Sequence, residues 1–440
     1  MKKPVLLLLL SVTLSACGDD SVSPIGADAY TGYLYTSTNS SAGNGIIALG
    51  KKQDGSLTEL PNSPYATGAA GDAADGDFDT QWGMRIVGDY LLVVNAGSNP
   101  VNGSVSVFKI NRADGSLTRV DQNTATAAVD NMDSRGERSV SIAAAAVGGT
   151  TWVVVGNQFA NPNYQKAPAQ AFGSVTSSNA RNLAVFTLDQ STGLLEFRRI
   201  GATYADGSRG GPATVVFNAD GSKLAVSTWG VPHFDVPDAD LTLQQPGRLY
   251  LYDFSSGTLN QTGMYEEAGV SGNIGLSWSP NGRYVYMTNF NLHSSKETNS
   301  VTVHDGTMGA KVQNFGTGDR NDEACWTLVS LDNRRLFTAS FSSNAVSTFD
   351  IGGDGRLSVS LSPNSVVRRA APPQDAKDMY QTRDGFLYVA GAFKSHSVSV
   401  FRIGADGSLS EQAGSPYAIP SSAGMTSMQQ AFIGLTGFEK

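Results

Sequence analysis

Gly103-Ser-Val-Ser-Val-Phe-Lys-Ile-Asn-Arg-Ala-Asp-Gly-Ser-Leu117 decides the fold, because variants of this phrase recur along the whole chain. Val105, Val107 and Phe108 form a β-branched and aromatic run. Asp114-Gly115 suits the positive φ of a tight hairpin turn, and Ser116-Leu117 opens the return strand. Further copies run Ile46 to Leu57, Leu183 to Leu195, Arg248 to Leu259, Ser300 to Val312, Ala345 to Leu357 and Ser397 to Leu409, which makes seven in all. A recurring unit of this kind fixes the architecture before any local detail.

A second phrase precedes each copy: Gly32-Tyr-Leu-Tyr35, Asp89-Tyr-Leu-Leu-Val-Val94, Thr151-Trp-Val-Val-Val155, Lys223-Leu-Ala-Val226, Arg283-Tyr-Val-Tyr286, Arg335-Leu-Phe337 and Phe386-Leu-Tyr-Val389. Several follow a turn such as Pro280-Asn281-Gly282 or Asp384-Gly385, and ahead of the turn stands another apolar run such as Ile274-Gly-Leu-Ser-Trp278. Each unit therefore has four strands. Seven such units without helical periodicity predict an all-β fold, a seven-bladed β-propeller of four-stranded antiparallel blades over residues 30–440. A blade is covered on both faces by its neighbours, so its strands need not alternate cleanly between polar and apolar residues. The small residues Ala143 to Ala146 suit a crowded innermost strand. The first unit lacks an inner strand ahead of Tyr33, and a spare segment, Met425 to Gly434, follows the last unit. That segment is expected to close the ring by completing blade one.

At the start of the chain, Lys2 and Lys3 precede an apolar run from Pro4 to Leu14, too short for a permanent membrane span and suited to a secretory signal. It ends in Leu14-Ser15-Ala16-Cys17, which resembles a bacterial lipobox. The expected organisation is a signal peptide over 1–16, lipidation at Cys17, a small polar tether over 17–29 and then the propeller. Gly18 after the cysteine leans toward the outer membrane, facing the periplasm.

Removing Lys2 and Lys3 takes the formal charge from −8 to −10, and no Lys/Arg-rich tract occurs, which argues against nucleic-acid binding. Charged residues make up only 16% of the chain and glycine 49 of 440 positions, a balance that suits a turn-rich exported β protein. With Cys17 lipidated, Cys325 has no disulfide partner and reads as a small buried apolar group.

In a propeller the loops leading into the inner strands and those leaving the second strands gather at one mouth of the channel. Here they carry Asp79-Thr-Gln-Trp82, Ser134-Arg-Gly-Glu-Arg138, Arg320-Asn-Asp-Glu323 and Asp375-Ala-Lys-Asp378, with Asn289, Trp229 and His293 on the leaving side. The insertions Asn157 to Ala180 and Trp229 to Gly247 overhang the same mouth as a lid or wall. Arg320, Asp322 and Glu323 form one polar group, expected to face Arg135, Glu137 and Arg138 across the channel, with Lys377 between carboxylates. Such a ring suits a carboxylate or phosphate held by arginines, with Glu323 or Glu137 as general acid or base. The bland alternative is a set of salt bridges lining a wet channel. His233 and His293 are the histidines placed near the mouth, and either is a further general-base candidate, His233 first. The acidic stretch Asp72 to Asp79 resembles a calcium loop, but Thr80 and Ile86 occupy the places where an EF-hand needs glycine and glutamate. Neither a metal nor any other cofactor is expected.

Ser104-Val-Ser-Val-Phe108 with Asp114-Gly-Ser-Leu117, Ser397-Val-Ser-Val-Phe401 with Asp406-Gly-Ser-Leu409, and Ser279-Pro-Asn-Gly-Arg-Tyr-Val-Tyr286 resemble the lactonase-family seven-bladed propellers over most of residues 30–434. The family includes 6-phosphogluconolactonase-type hydrolases and 3-carboxymuconate-lactonizing enzymes. The resemblance implies a lactone of a sugar acid or of a carboxylated ring as ligand. Family enzymes tend to carry a glutamate in a Tyr-Val-x-Asn-Glu phrase; here the phrase is Tyr286-Met-Thr-Asn-Phe290, with phenylalanine in that place. Two functional readings follow. One is a lipid-anchored envelope hydrolase or cyclase acting on a small anionic substrate. The other is a non-catalytic binding or scaffold propeller for a glycan, a peptide or an envelope protein.

Overall fold

The computed structural model describes residues 30–72, 80–97, 101–159, 181–204, 210–230, 246–292, 300–317, 322–359, 366–367 and 374–440. Seven antiparallel sheets form a ring. Their inner strands are Met84–Val87, Ser139–Val147, Pro212–Phe217, Val270–Trp278, Ala324–Val329, Ala376–Gln381 and Ile433–Glu439, and each packs beside the next around a central channel. From the channel outward, blade two continues through Tyr90–Asn95, Asn102–Ile110 and Leu117–Arg119, and the other blades repeat this order. Among the described residues the helical content is one short 3-10 turn, Pro420–Ser422.

The strand that closes the ring is Ile433–Glu439, which pairs with Gly32–Ser37 from Gly32↔Glu439 onward. It lies later than the expected Met425 to Gly434. The apolar pattern explains the shift: Ile433, Leu435 and Phe438 are buried between blades, whereas Met425 and Met428 are exposed. Beyond the four-strand unit, short outer pairings at Tyr65–Ala66, Met132–Glu137, Val366–Val367 and Tyr417–Ala418 add to the third strands of blades one, two, six and seven.

The two repeated phrases meet between blades. The Tyr35 hydroxyl of blade one donates to the Gly115 carbonyl in the outer turn of blade two at 2.8 Å. Tyr286 does the same to Gly355 at 2.7 Å and Tyr388 to Gly55 at 3.0 Å, so blade five holds blade six and blade seven holds blade one. A turn glycine is required there. Gly115 has a φ of +76°, and a Cβ on it would lie 2.3 Å from the Tyr33 ring. Apolar side chains then fill the interfaces, as where Leu92, Val94, Val105 and Val107 of blade two pack on Val140, Ile142, Val153 and Val155 of blade three.

Candidate functional site

The channel is crossed by the segment Thr80–Trp82, which leads into the inner strand of blade two. The Gln81 backbone N–H donates to Thr214 Oγ1 (3.2 Å), its carbonyl accepts from Ser141 Oγ (2.6 Å), and its side-chain Nε2 donates to the Thr327 carbonyl (2.5 Å). The Leu276 N–H donates to Gln81 Oε1 at 3.2 Å. On either side, Trp326 Nε1 donates to the Thr80 carbonyl and the Ile142 N–H to the Trp82 carbonyl, both at 2.8 Å. One glutamine and its neighbours thus bond to blades three, four, five and six. They satisfy buried donors and acceptors that an open channel would leave to water.

Beside this plug lies Asp378, buried, with Oδ2 accepting from the Gly434 N–H at 2.8 Å. Burial pushes its carboxyl up to about 6, against the lowering effects of the Gly434 bond and of Lys377 and Arg85 nearby. Arg85, in the blade-two inner strand, stacks its guanidinium 3.7 Å over the Trp82 ring and donates from Nε to the Ile142 carbonyl at 3.2 Å. Sequence reading passed over both. Arg85 sits inside a strand with no motif around it, and Asp378 stood only as one end of a loop phrase.

Glu137, Arg138, Asp322 and Glu323 lie just ahead of the inner strands of blades three and six, and Lys377 lies in that of blade seven. Arg138 Nη2 pairs with Asp72 Oδ2 at 2.8 Å, both side chains buried, so the acidic stretch contributes an ion-pair partner here. Arg138 and Glu323 each adopt a positive φ, +55° and +53°, just ahead of the inner strands of blades three and six. Their carbonyls accept from the Gln158 and Phe341 N–H groups, which fastens each approach to the adjacent second strand. Asp322 is fully buried; Ser340 Oγ donates to its Oδ2 at 2.7 Å and Ser343 Oγ to its Oδ1. Asp375 has the same task in blade seven, accepting from Lys394 N (2.7 Å), Phe393 N and Ser395 N (both 3.0 Å) and Ser395 Oγ (2.5 Å). These two carboxylates bind the turns that leave the second strands.

Lys377 is buried with Nζ 5.8 Å from the Trp326 ring centre and 6.0 Å from that of Phe341. Arg135 is exposed and lies over the Phe197 ring of blade three at 4.9 Å. Asn289 is buried, donating to Thr302 Oγ1 (3.0 Å) and accepting from Asn273 Nδ2 (3.3 Å). Trp229 is a core residue with its ring edge-on to Phe290 at 4.8 Å, which accounts for an aromatic side chain ending the Tyr286 phrase. Arg320, His233, His293 and Cys17 lie outside the described residues, as does most of both insertions.

Glu137 differs from the other carboxylates at this mouth. Its Oε2 is buried without a hydrogen-bond partner among the described residues, and burial raises its pKa. It precedes Arg138, and its backbone carbonyl accepts from Phe159 N at 2.9 Å.

No family model matches the chain, and no curated protein matches it in sequence. Solved structures match it in fold. A candidate 6-phosphogluconolactonase of Bacteroides fragilis superposes with a TM-score of 0.61 at 14% identity, covering 95% of this chain and 100% of that one. The periplasmic gluconolactonase of Pseudomonas aeruginosa gives 0.60 at 15% identity, covering 92% and 98%. A candidate 6-phosphogluconolactonase of Bacteroides uniformis gives 0.59 at 14%, covering 92% and 99%. At these identities the likeness is one of fold, and the chain is a seven-bladed β-propeller.

Proposed function

We propose that this protein is a hydrolase of the bacterial envelope that opens a lactone of a sugar acid or carboxylated ring at the mouth where Glu137 lies. The observation that carries the reading is the unpartnered, buried Glu137 Oε2 with its raised pKa, since a general base works best when its pKa approaches the working pH. Glu137 takes a proton from water as the water oxygen attacks the lactone carbonyl carbon. The ring C–O bond then breaks, and the protonated carboxyl returns the proton to the departing ring oxygen, leaving a hydroxy acid. Arg138, the next residue in sequence and paired with Asp72, brings a guanidinium to the same mouth, where positive charge favours a developing oxyanion. The fold shared with proteins described as gluconolactonases supports the substrate class.

The Lys2 to Cys17 stretch supports export, cleavage before Cys17 and lipid anchoring at the outer membrane. Incorporation of labelled palmitate that disappears in Cys17→Ser tests this part. A pH-stat screen of sugar, phosphosugar and muconate-type lactones tests the chemistry. Turnover that Glu137→Gln lowers by about 100-fold or more, within the range general-base catalysis contributes, supports the hydrolase. A folded protein that turns over none of them is a binding propeller instead.

A further inference from the structure

A cavity opens at the other end of the channel, where the inner strands turn into the second strands of blades two to six. Its volume is about 1020 Å3, at the upper end of small-molecule pockets. The plug separates it from the mouth that holds Glu137, and Trp82 forms part of its floor. The walls are mixed: Trp278, Val216, Leu328 and the run Ala144 to Ala146 give an apolar side, and Asn218, Ser277, Ser279 and Ser330 stand among them. Arg85 is the one charged side chain among the described residues that line it.

Arg85 is built for a ligand. Its guanidinium lies flat on the Trp82 indole at 3.7 Å, which fixes its plane, and Nε is anchored on the Ile142 carbonyl at 3.2 Å. Among the described residues the two terminal nitrogens have no protein acceptor, and the residue lines the cavity. A guanidinium held by Nε and by one face presents its two terminal N–H groups as a planar fork, the geometry that takes a carboxylate in a bidentate fashion. Burial lowers its pKa only to about 9, so the charge persists at neutrality and acts in a poorly hydrated setting. The alanines matter as well. Ala144, Ala145 and Ala146 stand in the turnward half of the blade-three inner strand, Ser139–Val147, with side chains small enough to leave the space open.

We propose that this cavity is a second ligand site that binds a small monocarboxylate with a compact apolar or aromatic body, its carboxylate on Arg85 and its body between Trp278 and the Ala144–Ala146 wall. The site goes beyond lactone hydrolysis at the opposite mouth and does not depend on it.

Calorimetric titration of the purified protein with benzoate tests this, with acetate, benzyl alcohol and inorganic phosphate as companions. Benzoate is expected to bind in a saturable way, with acetate and benzyl alcohol each about tenfold weaker or more, because each lacks one half of the recognition. Arg85→Gln is expected to weaken benzoate by about 10- to 100-fold, the worth of a charge-assisted bidentate contact. Ala146→Trp fills the cavity from an exposed position that the fold does not need, and is expected to abolish benzoate binding while leaving the melting temperature unchanged. Benzoate binding that neither variant alters would overturn the assignment. So would phosphate binding more tightly than benzoate, or no saturation at millimolar benzoate.

Discussion

The indole Nε1 of Trp326 donates to the carbonyl of Thr80 at 2.8 Å and so joins blade six to the approach of blade two across the channel, 246 residues away in sequence. In a ring of repeats each unit touches only its neighbours, and cooperativity depends on nearest-neighbour interfaces. The Thr80–Trp82 plug adds a cross-brace. It couples the inner strands of blades three to six through one short segment.

Gln81→Ala removes the side chain that bonds both the Thr327 carbonyl and the Leu276 N–H and leaves both buried. The expected loss is about 2–4 kcal/mol, from two buried groups left unsatisfied. Urea unfolding measures it, and hydrogen exchange at Leu276 is expected to speed up. A variant within about 0.5 kcal/mol of the parent would mean that water replaces the amide without cost.

The clasp between blades gives a graded pair of variants. Tyr286→Phe removes only the bond to the Gly355 carbonyl and is expected to cost about 1 kcal/mol. Gly115→Ala must hold a side chain at φ +76° with its Cβ 2.3 Å from the Tyr33 ring, so it is expected to cost more, about 2 kcal/mol or above. Thermal melts rank the two, and the reverse order would contradict the clasp.

The clasp also shows why the architecture was legible in the chain. At the junctions of blades one and two, five and six, and seven and one, the Asp-Gly turn and the strand tyrosine are two halves of one contact, which is why both recur in those units. The site was less legible. Asp322 and Asp375 have the residue type of an acid or base, yet they receive donors from Ser340, Ser343 and the Phe393–Ser395 turn. Nothing in the letters distinguishes a carboxylate that binds a turn from one that faces a substrate. Arg85 is the converse case, a strand residue whose significance comes from Trp82 and from a cavity that no short-range pattern encodes.

Ring closure rests on the Ile433–Glu439 strand. A chain ending at Phe432 leaves Gly32–Ser37 as an open edge and exposes the apolar faces of blades one and two, including Met84, against which Gly434 packs. Such a chain is expected to lose its cooperative melt and to aggregate, as size-exclusion chromatography would show. A monodisperse, cooperatively melting product would place the closing contacts elsewhere.

Two buried titratable groups act in opposite senses on acid stability. His304 is fully buried. The Gly309 carbonyl can only accept, so Nδ1 carries the proton it receives at 2.9 Å, and Nε2 accepts from the Thr302 hydroxyl at 2.8 Å. Burial lowers its pKa from 6.5 to about 4. Between those values the unfolded chain binds a proton that the folded protein does not, so this group's contribution is full above about pH 6.5 and is lost as the pH falls. Asp378 does the reverse. Its pKa is raised from 3.8 to about 6, the folded protein holds the extra proton, and its contribution falls as the pH rises through that window. Each shift corresponds to on the order of 3 kcal/mol, so the two slopes largely cancel in the parent. Asp378→Asn keeps an acceptor for the Gly434 N–H and removes one slope. The variant is expected to gain stability from pH 4 to 6.5 more steeply than the parent and to exceed it at pH 7. Parallel stability curves for the two proteins, measured by urea unfolding across that range, would show that Asp378 does not titrate as its burial implies.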